Sequence, residues 1–423
     1  MNSFDSPAYK RSRAAYLSQC AFEYFVALLV SDAYIAKLLL EAGIDVATVG
    51  IISTLNQLSC VSSLLSIPLA RRGNNAKGTV IFSRTVSMLL FMLLYFVPFI
   101  SVSRAFRTVL VMVLMCGGHF FVQVSSPSYS KWSFFFSEPG KRARFSAVKE
   151  MVSLLGGILF TFFVGKVFDS YEMAGNLKGV FLLIAALIFA LNILSLICLI
   201  LMNREGDDQT TVPPKMNFLK TVKETLKNRA FVNIVILTTL YSFGQYLTSG
   251  FLGTYKTVEL AYSVGTVQVI NVFACLARFV LSMPFGIYSD RHSYVKGFTL
   301  AMLFAVLAFI ASMLTAPGMR WMMIVHTVLY YISMAGTGQN MVNMCFSYVE
   351  PQNLVAAMAI RNSIAGVFGF IASMVGSRIL ALIQQNNNQL FGVTVYGQQV
   401  LSALSVLIIL AAVVFSRRAF QKQ

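Results

Sequence analysis

The stretch Asn203-Arg204-Glu205-Gly206-Asp207-Asp208-Gln209-Thr210-Thr211-Val212-Pro213-Pro214 opens the longest polar passage of the chain, which continues through a lysine-studded segment to Arg229. Long apolar runs flank it, six before and six after. Charge is costly inside a bilayer, so a polar block of this length belongs in water. The pattern reads as two membrane bundles joined by an aqueous strap.

Composition agrees. The 423 residues are 57% hydrophobic and 12% charged, against about 25% charged in soluble domains. A net charge of +17 could serve nucleic acid, but the basic residues form no single patch. They are spread over short loops, as in membrane proteins whose basic loops face the cytoplasm. Nucleic-acid binding is therefore not expected. The six cysteines, Cys20, Cys60, Cys116, Cys198, Cys275 and Cys345, sit singly within apolar runs, without CxxC spacing, and read as packing residues. Lys10, Arg11 and Arg13 precede an apolar run that resembles a signal peptide. That run reaches about Leu40 and carries Glu23 and Asp32, so it reads as a retained first span.

A spanning helix needs about 20 apolar residues. Spans are expected near 15–38, 46–70, 79–101, 108–128, 147–168, 178–202, 231–254, 263–288, 296–316, 319–346, 355–384 and 397–416. The expected fold is all-α: twelve transmembrane helices in two pseudo-symmetric six-helix bundles. The bundles cover 1–203 and 230–423, with a cytoplasmic loop at 204–229. Within that loop Leu219, Val222 and Leu226 recur at helical spacing among lysines, the pattern of an amphipathic helix. One set of loops holds most cations, including Arg71, Arg72, Lys77, Lys141, Arg142, Arg144, Arg291, Lys296, Arg417 and Arg418. Their bias places both termini and the strap in the cytoplasm and the chain in the inner or plasma membrane.

The loop after span 2, Ser66-Ile67-Pro68-Leu69-Ala70-Arg71-Arg72-Gly73, is matched after span 8 by Gly286-Ile287-Tyr288-Ser289-Asp290-Arg291-His292-Ser293. Each closes an apolar run with a basic turn. Duplicated six-helix halves are a recurrent transporter plan. Here the chain resembles the major facilitator superfamily of secondary transporters. The resemblance covers the whole length, and its most specific element is Gly286-x-x-x-Asp290-Arg291. It implies that Gly286, Asp290 and Arg291 form a conformational latch. In the first half Ser66 and Ala70 replace the glycine and aspartate, leaving Arg71 and Gly73. The family's antiporter signatures are poorly matched around Gly117-Gly118, and only Gly156-Gly157-Ile158-Leu159 resembles the end of one.

Ionisable groups at membrane depth are functional candidates. Glu23 in span 1 shares its side with Gln19, Ser31 and Tyr34 if the helix is continuous. It reads either as a proton-coupling carboxylate or as the partner of a cation such as Arg84 or Lys149. Asp32 turns to the opposite side. Span 8 stacks Gln268, Asn271, Cys275, Arg278 and Ser282 on one face. Arg278 needs an anion there: a substrate, Glu23, Asp32 or a carbonyl. His119, with Gln123 and Ser126, and His326, with Tyr330, Ser333, Thr337 and Asn340, line faces of spans 4 and 10. Either histidine is suited to relaying a proton or to an ordinary interhelical hydrogen bond. Span 7 adds Tyr241, Gln245, Thr248 and Ser249, and span 2 adds Asn56, Ser59 and Ser63.

HExxH, GxxxxGK[ST], CxxC and GxSxG are all absent. No enzyme activity, cofactor or metal is expected. The sequence points to a monomeric secondary transporter working by alternating access. It would move a small polar or anionic solute with protons, sodium being the alternative ion. Proton-coupled efflux of amphipathic compounds, and a non-transporting membrane sensor or scaffold, are the rival readings.

Overall fold

The computed structural model describes residues 6–30, 32–44, 58–72, 76–203, 218–262, 264–386, 388–390 and 393–420. In chain order the helices are α1 (Pro7–Leu29), α2 (Asp32–Glu41), α3 (Ser66–Arg72), α4 (Ala76–Leu94), α5 (Arg104–Phe135), α6 (Arg142–Met173), α7 (Leu177–Leu201), α8 (Phe218–Lys227), α9 (Arg229–Ser249), α10 (Val264–Arg291), α11 (Tyr294–Met313), α12 (Trp321–Tyr348), α13 (Leu354–Gln385) and α14 (Gly397–Phe420). A 3-10 turn, Cys60–Leu65, leads into α3. The only strands among the described residues are the pair Gln389–Leu390 and Val393–Thr394. Much of the expected second span, 46–70, lies outside the described residues, as does most of the strap.

Local chemistry sets several helix starts. Ser6, Ser103, Asn176, Asn228 and Ser293 each accept a backbone N–H three residues on with a side-chain oxygen, which satisfies donors left open in the first turn. Nine of the described helices are long and apolar enough to cross a membrane. Phe82, Phe163, Phe273 and Leu407 are all more than half exposed, as apolar side chains facing lipid would be. α12 is not among the nine. Its buried positions include His326, Ser333, Thr337, Gln339, Asn340 and Asn343, so its polar groups face protein.

The first expected span is not one continuous helix. α1 ends at Leu29, Val30 has φ −97° and ψ 21°, and α2 begins at Asp32. Placing Asp32 and Tyr34 relative to Glu23 by helical rotation therefore fails. Tyr95 caps the break, its hydroxyl donating to the Leu29 carbonyl at 2.6 Å. In the strap, α8 forms at Phe218–Lys227, with Thr225 buried and Leu226 exposed.

The chain forms two compact units. One comprises Met1–Pro139, Met151–Val222 and Pro351–Ile360, the other Gly140–Glu150, Lys223–Glu350 and Arg361–Gln423. In the first, α4 packs on α5 and α7, and α1 on α7. Its core joins Leu29, Leu38, Phe91, Tyr95, Val111, Phe168, Phe181 and Ile188. The Gly156-Gly157 pair of α6 admits α1 aromatics. A Cβ on Gly157 would lie 2.5 Å from the Tyr24 ring, and one on Gly156 2.8 Å from Phe25. In the second unit α11 packs on α12 and α14, α10 on α12, and α9 on α14. Its core joins Ile234, Leu237, Tyr241, Phe298, Met302, Phe309, Met344 and Ile409.

Candidate functional site

Two buried ion pairs stand out, one in each unit. In the first, Nη1 of Arg84 on α4 lies 2.6 Å from both carboxylate oxygens of Glu23 on α1. The guanidinium also sits 4.6 Å from the centre of the Tyr129 ring on α5, a favourable cation–π position. Tyr129 donates its hydroxyl to Gln19, which donates to Ser195 on α7 at 3.2 Å. Gln19 is fully buried in this network. Four helices are thus tied through one carboxylate–arginine pair. Pairing satisfies two charges that would each be expensive alone.

In the second unit, Nε of Arg278 on α10 lies 2.5 Å from Oε1 of Glu150 on α6. The pair is largely buried. Among the described residues the anion beside Arg278 is Glu150, a partner that was not named from the sequence. Ser282, one turn along, donates to the Arg278 carbonyl at 2.7 Å, and Gln339 donates to the Ser282 carbonyl at 3.3 Å. Nearby, Gln245 donates to the Tyr330 hydroxyl at 2.6 Å and the buried Tyr241 donates to Thr337 at 3.4 Å. These contacts bring the expected polar faces of α9 and α12 together.

The remaining expected residues divide. His326 is buried, stacked on Tyr330 at 5.7 Å and beside Phe309, with Nδ1 2.8 Å from the Ala308 carbonyl. His119 lies edge-on to Phe91 at 5.1 Å. Tyr34 packs against Phe168 at 5.6 Å. Asn340 donates to the Gly336 carbonyl at 2.8 Å and is fully buried. Gln123 and Asn271 are partly buried. Asn56 and Gly73, and the side chains of Asp32, Arg71 and Gln268, lie outside the described residues.

At the end of α10, Asp290 caps the start of α6. Its Oδ1 and Oδ2 accept the backbone N–H groups of Ala143 and Arg144, each at 3.0 Å. An acidic side chain there meets both open N–H groups and the positive end of the helix dipole. Gly286, one turn earlier, allows the approach: a Cβ there would lie 3.0 Å from the Ala143 carbonyl oxygen. The nearby cation is Arg144, its Nε 3.6 Å from Asp290. Arg291, expected in that role, is exposed, because it follows Asp290 by one residue and so points about 100° away around the helix.

Glu150, Arg144 and Tyr129 were not singled out from the sequence. Glu150 stands four residues into the expected fifth span, close enough to its end to read as part of the loop.

With this geometry in place, comparison with known proteins settles the family. Residues 15–377 match the family described as the Major Facilitator Superfamily. The chain belongs to the major facilitator superfamily. No curated protein sequence matches it. Solved structures share its fold. A bacterial homologue of the iron transporter ferroportin in its outward-facing state is similar at TM-score 0.74 and 12% identity, with 99% of this chain and 100% of that one covered. The E. coli fucose:proton symporter FucP gives TM-score 0.68 at 12% identity, covering 98% and 100%. The human organic anion transporter MFSD10 gives 0.69 at 12% identity, covering 97% and 100%. At this identity the likeness is one of fold. Family and fold thus make the chain a helical membrane protein of this transporter superfamily. Among the described residues no group of three or more His, Cys, Asp or Glu is placed to hold a metal ion.

Proposed function

We propose that this superfamily member is a proton-coupled symporter that moves a small anionic solute by alternating access. It would reside in the cell membrane with both termini cytoplasmic and act as a monomer. The observation that carries the reading is the Arg278–Glu150 pair, 2.5 Å apart and largely buried. Protonating Glu150 removes the charge that holds Arg278. The freed guanidinium, always charged, then takes the acidic group of the solute. Loss of the proton restores the pair and expels the solute. Proton and anion thereby travel together. Glu23–Arg84 supplies a second pair of the same chemistry in the first unit. The Asp290 cap on α6 is the latch that one conformation must break. The likeness in fold to a fucose:proton symporter and to an organic anion transporter is compatible with this reading.

The test is uptake by purified protein in liposomes under an imposed pH gradient, using anionic solutes selected by thermal stabilisation. Uptake should follow the gradient in the wild type and become indifferent to it in Glu150→Gln. Uptake equally pH-driven in that variant would refute the mechanism.

A further inference from the structure

Arg361 occupies the second turn of α13 and is only 7% exposed. Buried Arg84 and the largely buried Arg278 are each neutralised by a carboxylate. Among the described residues no carboxylate pairs with Arg361. Its Nη2 donates to the side-chain oxygen of the adjacent Asn362, while Nε and Nη1 are buried without a hydrogen-bond partner among the described residues. A buried cation lacking its counter-charge is costly, and each orphaned N–H adds to that cost. Such a group persists where a ligand completes it.

We propose that Arg361 receives the acidic group, carboxylate or phosphate, of the transported solute. Nη2 carries two hydrogens and Asn362 takes one. One edge of the guanidinium therefore remains for two parallel N–H···O bonds, the geometry that carboxylates and phosphates accept. The same unit holds further buried donors without a partner among the described residues. Arg361 lies within electrostatic reach of Cys345 on α12. A second guanidinium, Arg142, sits 4.7 Å from the ring of the next residue, Phe346, and its own Nε is buried without a partner. Asn343, fully buried two residues before Cys345, has an unpartnered amide nitrogen. Every residue from Leu354 to Ile360 is at most 8% exposed, so this part of the helix presents no face to lipid. A dissolved solute, not a lipid headgroup, is the source of the anion. This inference rests on the reading of the chain as an anion transporter. It adds a permanent anchor to the gated one at Arg278.

The experiment is a thermal-shift titration of the purified full-length protein with inorganic phosphate and with succinate, against sodium chloride at matched ionic strength. The wild type, Arg361→Lys and Arg361→Met are compared. Either probe should stabilise the wild type beyond chloride. Apparent affinity should fall at least about tenfold in Arg361→Met, the factor that about 1.4 kcal/mol gives, and less in Arg361→Lys. Without anion, Arg361→Met should melt higher than the wild type, since an uncompensated buried charge is gone. Equal anion responses in wild type and Arg361→Met, no wild-type response to either probe, or an Arg361→Met variant that melts lower or does not fold would each overturn the proposal. Phosphatidylglycerol added to the micelles should not compete with phosphate; competition would assign the site to lipid and overturn the solute assignment. Transport is read separately. Uptake in liposomes with an anion response independent of Arg361 sinks this inference alone, whereas anion binding through Arg361 without any uptake sinks the transport reading alone.

Discussion

Arg278 and Glu150 meet at 2.5 Å although 128 residues separate them in the chain. Each side chain is largely buried, so each is the main reason the other is tolerated. Removing one charge from such a pair costs more than removing both, because the survivor is left without compensation. Glu150→Met should lower stability by roughly 3 kcal/mol, and adding Arg278→Met should recover most of that loss. Melting temperatures of the two single variants and the double variant check this. A double variant no better than Glu150→Met would show that the pair is not the interaction that matters.

The Glu23–Arg84 pair is braced differently, because the Tyr129 ring lies under the guanidinium and its hydroxyl is bonded to Gln19. Tyr129→Phe keeps the ring and loses the hydroxyl, leaving Gln19 one partner short, and should cost about 1 kcal/mol. Tyr129→Leu loses both and should cost about 1 kcal/mol more. Thermal unfolding in detergent measures the two steps. Identical losses would mean the cation–π contact contributes nothing.

The Asp290 cap predicts a conformational effect. Asp290→Asn keeps the shape but weakens two charge-assisted bonds to the Ala143 and Arg144 N–H groups. A loss of about 1 kcal/mol shifts a two-state balance about fivefold. A single cysteine at the buried Ala147, in a background without other cysteines, should be alkylated about fivefold faster in Asp290→Asn. An unchanged rate would dispose of the latch.

Gly286 makes a steric version of the same claim. A side chain there would press on the Ala143 carbonyl and on Ala147, so Gly286→Val should speed alkylation of the same cysteine beyond the Asp290→Asn level. A rate no faster than that of Asp290→Asn would mean that the close approach of α10 to α6 does not hold the latch shut.

Much of this arrangement was legible in the residues. Apolar length marked the spans, and polar length marked the strap. The depth of Glu23 and Arg278 marked both as needing partners, and Arg84 was foreseen as a partner for Glu23. What failed has a common physical cause: helical periodicity says which face a residue occupies, not what that face meets. Gln19 does share a side with Glu23, yet that side is packed against α5 and α7 and bonds Tyr129 and Ser195. Arg144 and Arg361 sit in the first two turns of their helices and Glu150 at the start of the third, where charge reads as a loop boundary until packing buries it. The break after Leu29 was hidden because the apolar run passes through it without glycine or proline.

The central claim, that a proton enters with the anion through Glu150 and Arg278, is tested most directly by proton movement itself. Purified protein is sealed into liposomes containing a pH-sensitive dye, and mono- and dicarboxylates, organophosphates and neutral sugars are added outside one at a time. The account predicts that at least one anionic solute acidifies the interior with the wild type and none does so with Glu150→Gln. Solute entry without acidification in the wild type, or undiminished acidification in Glu150→Gln, would contradict it.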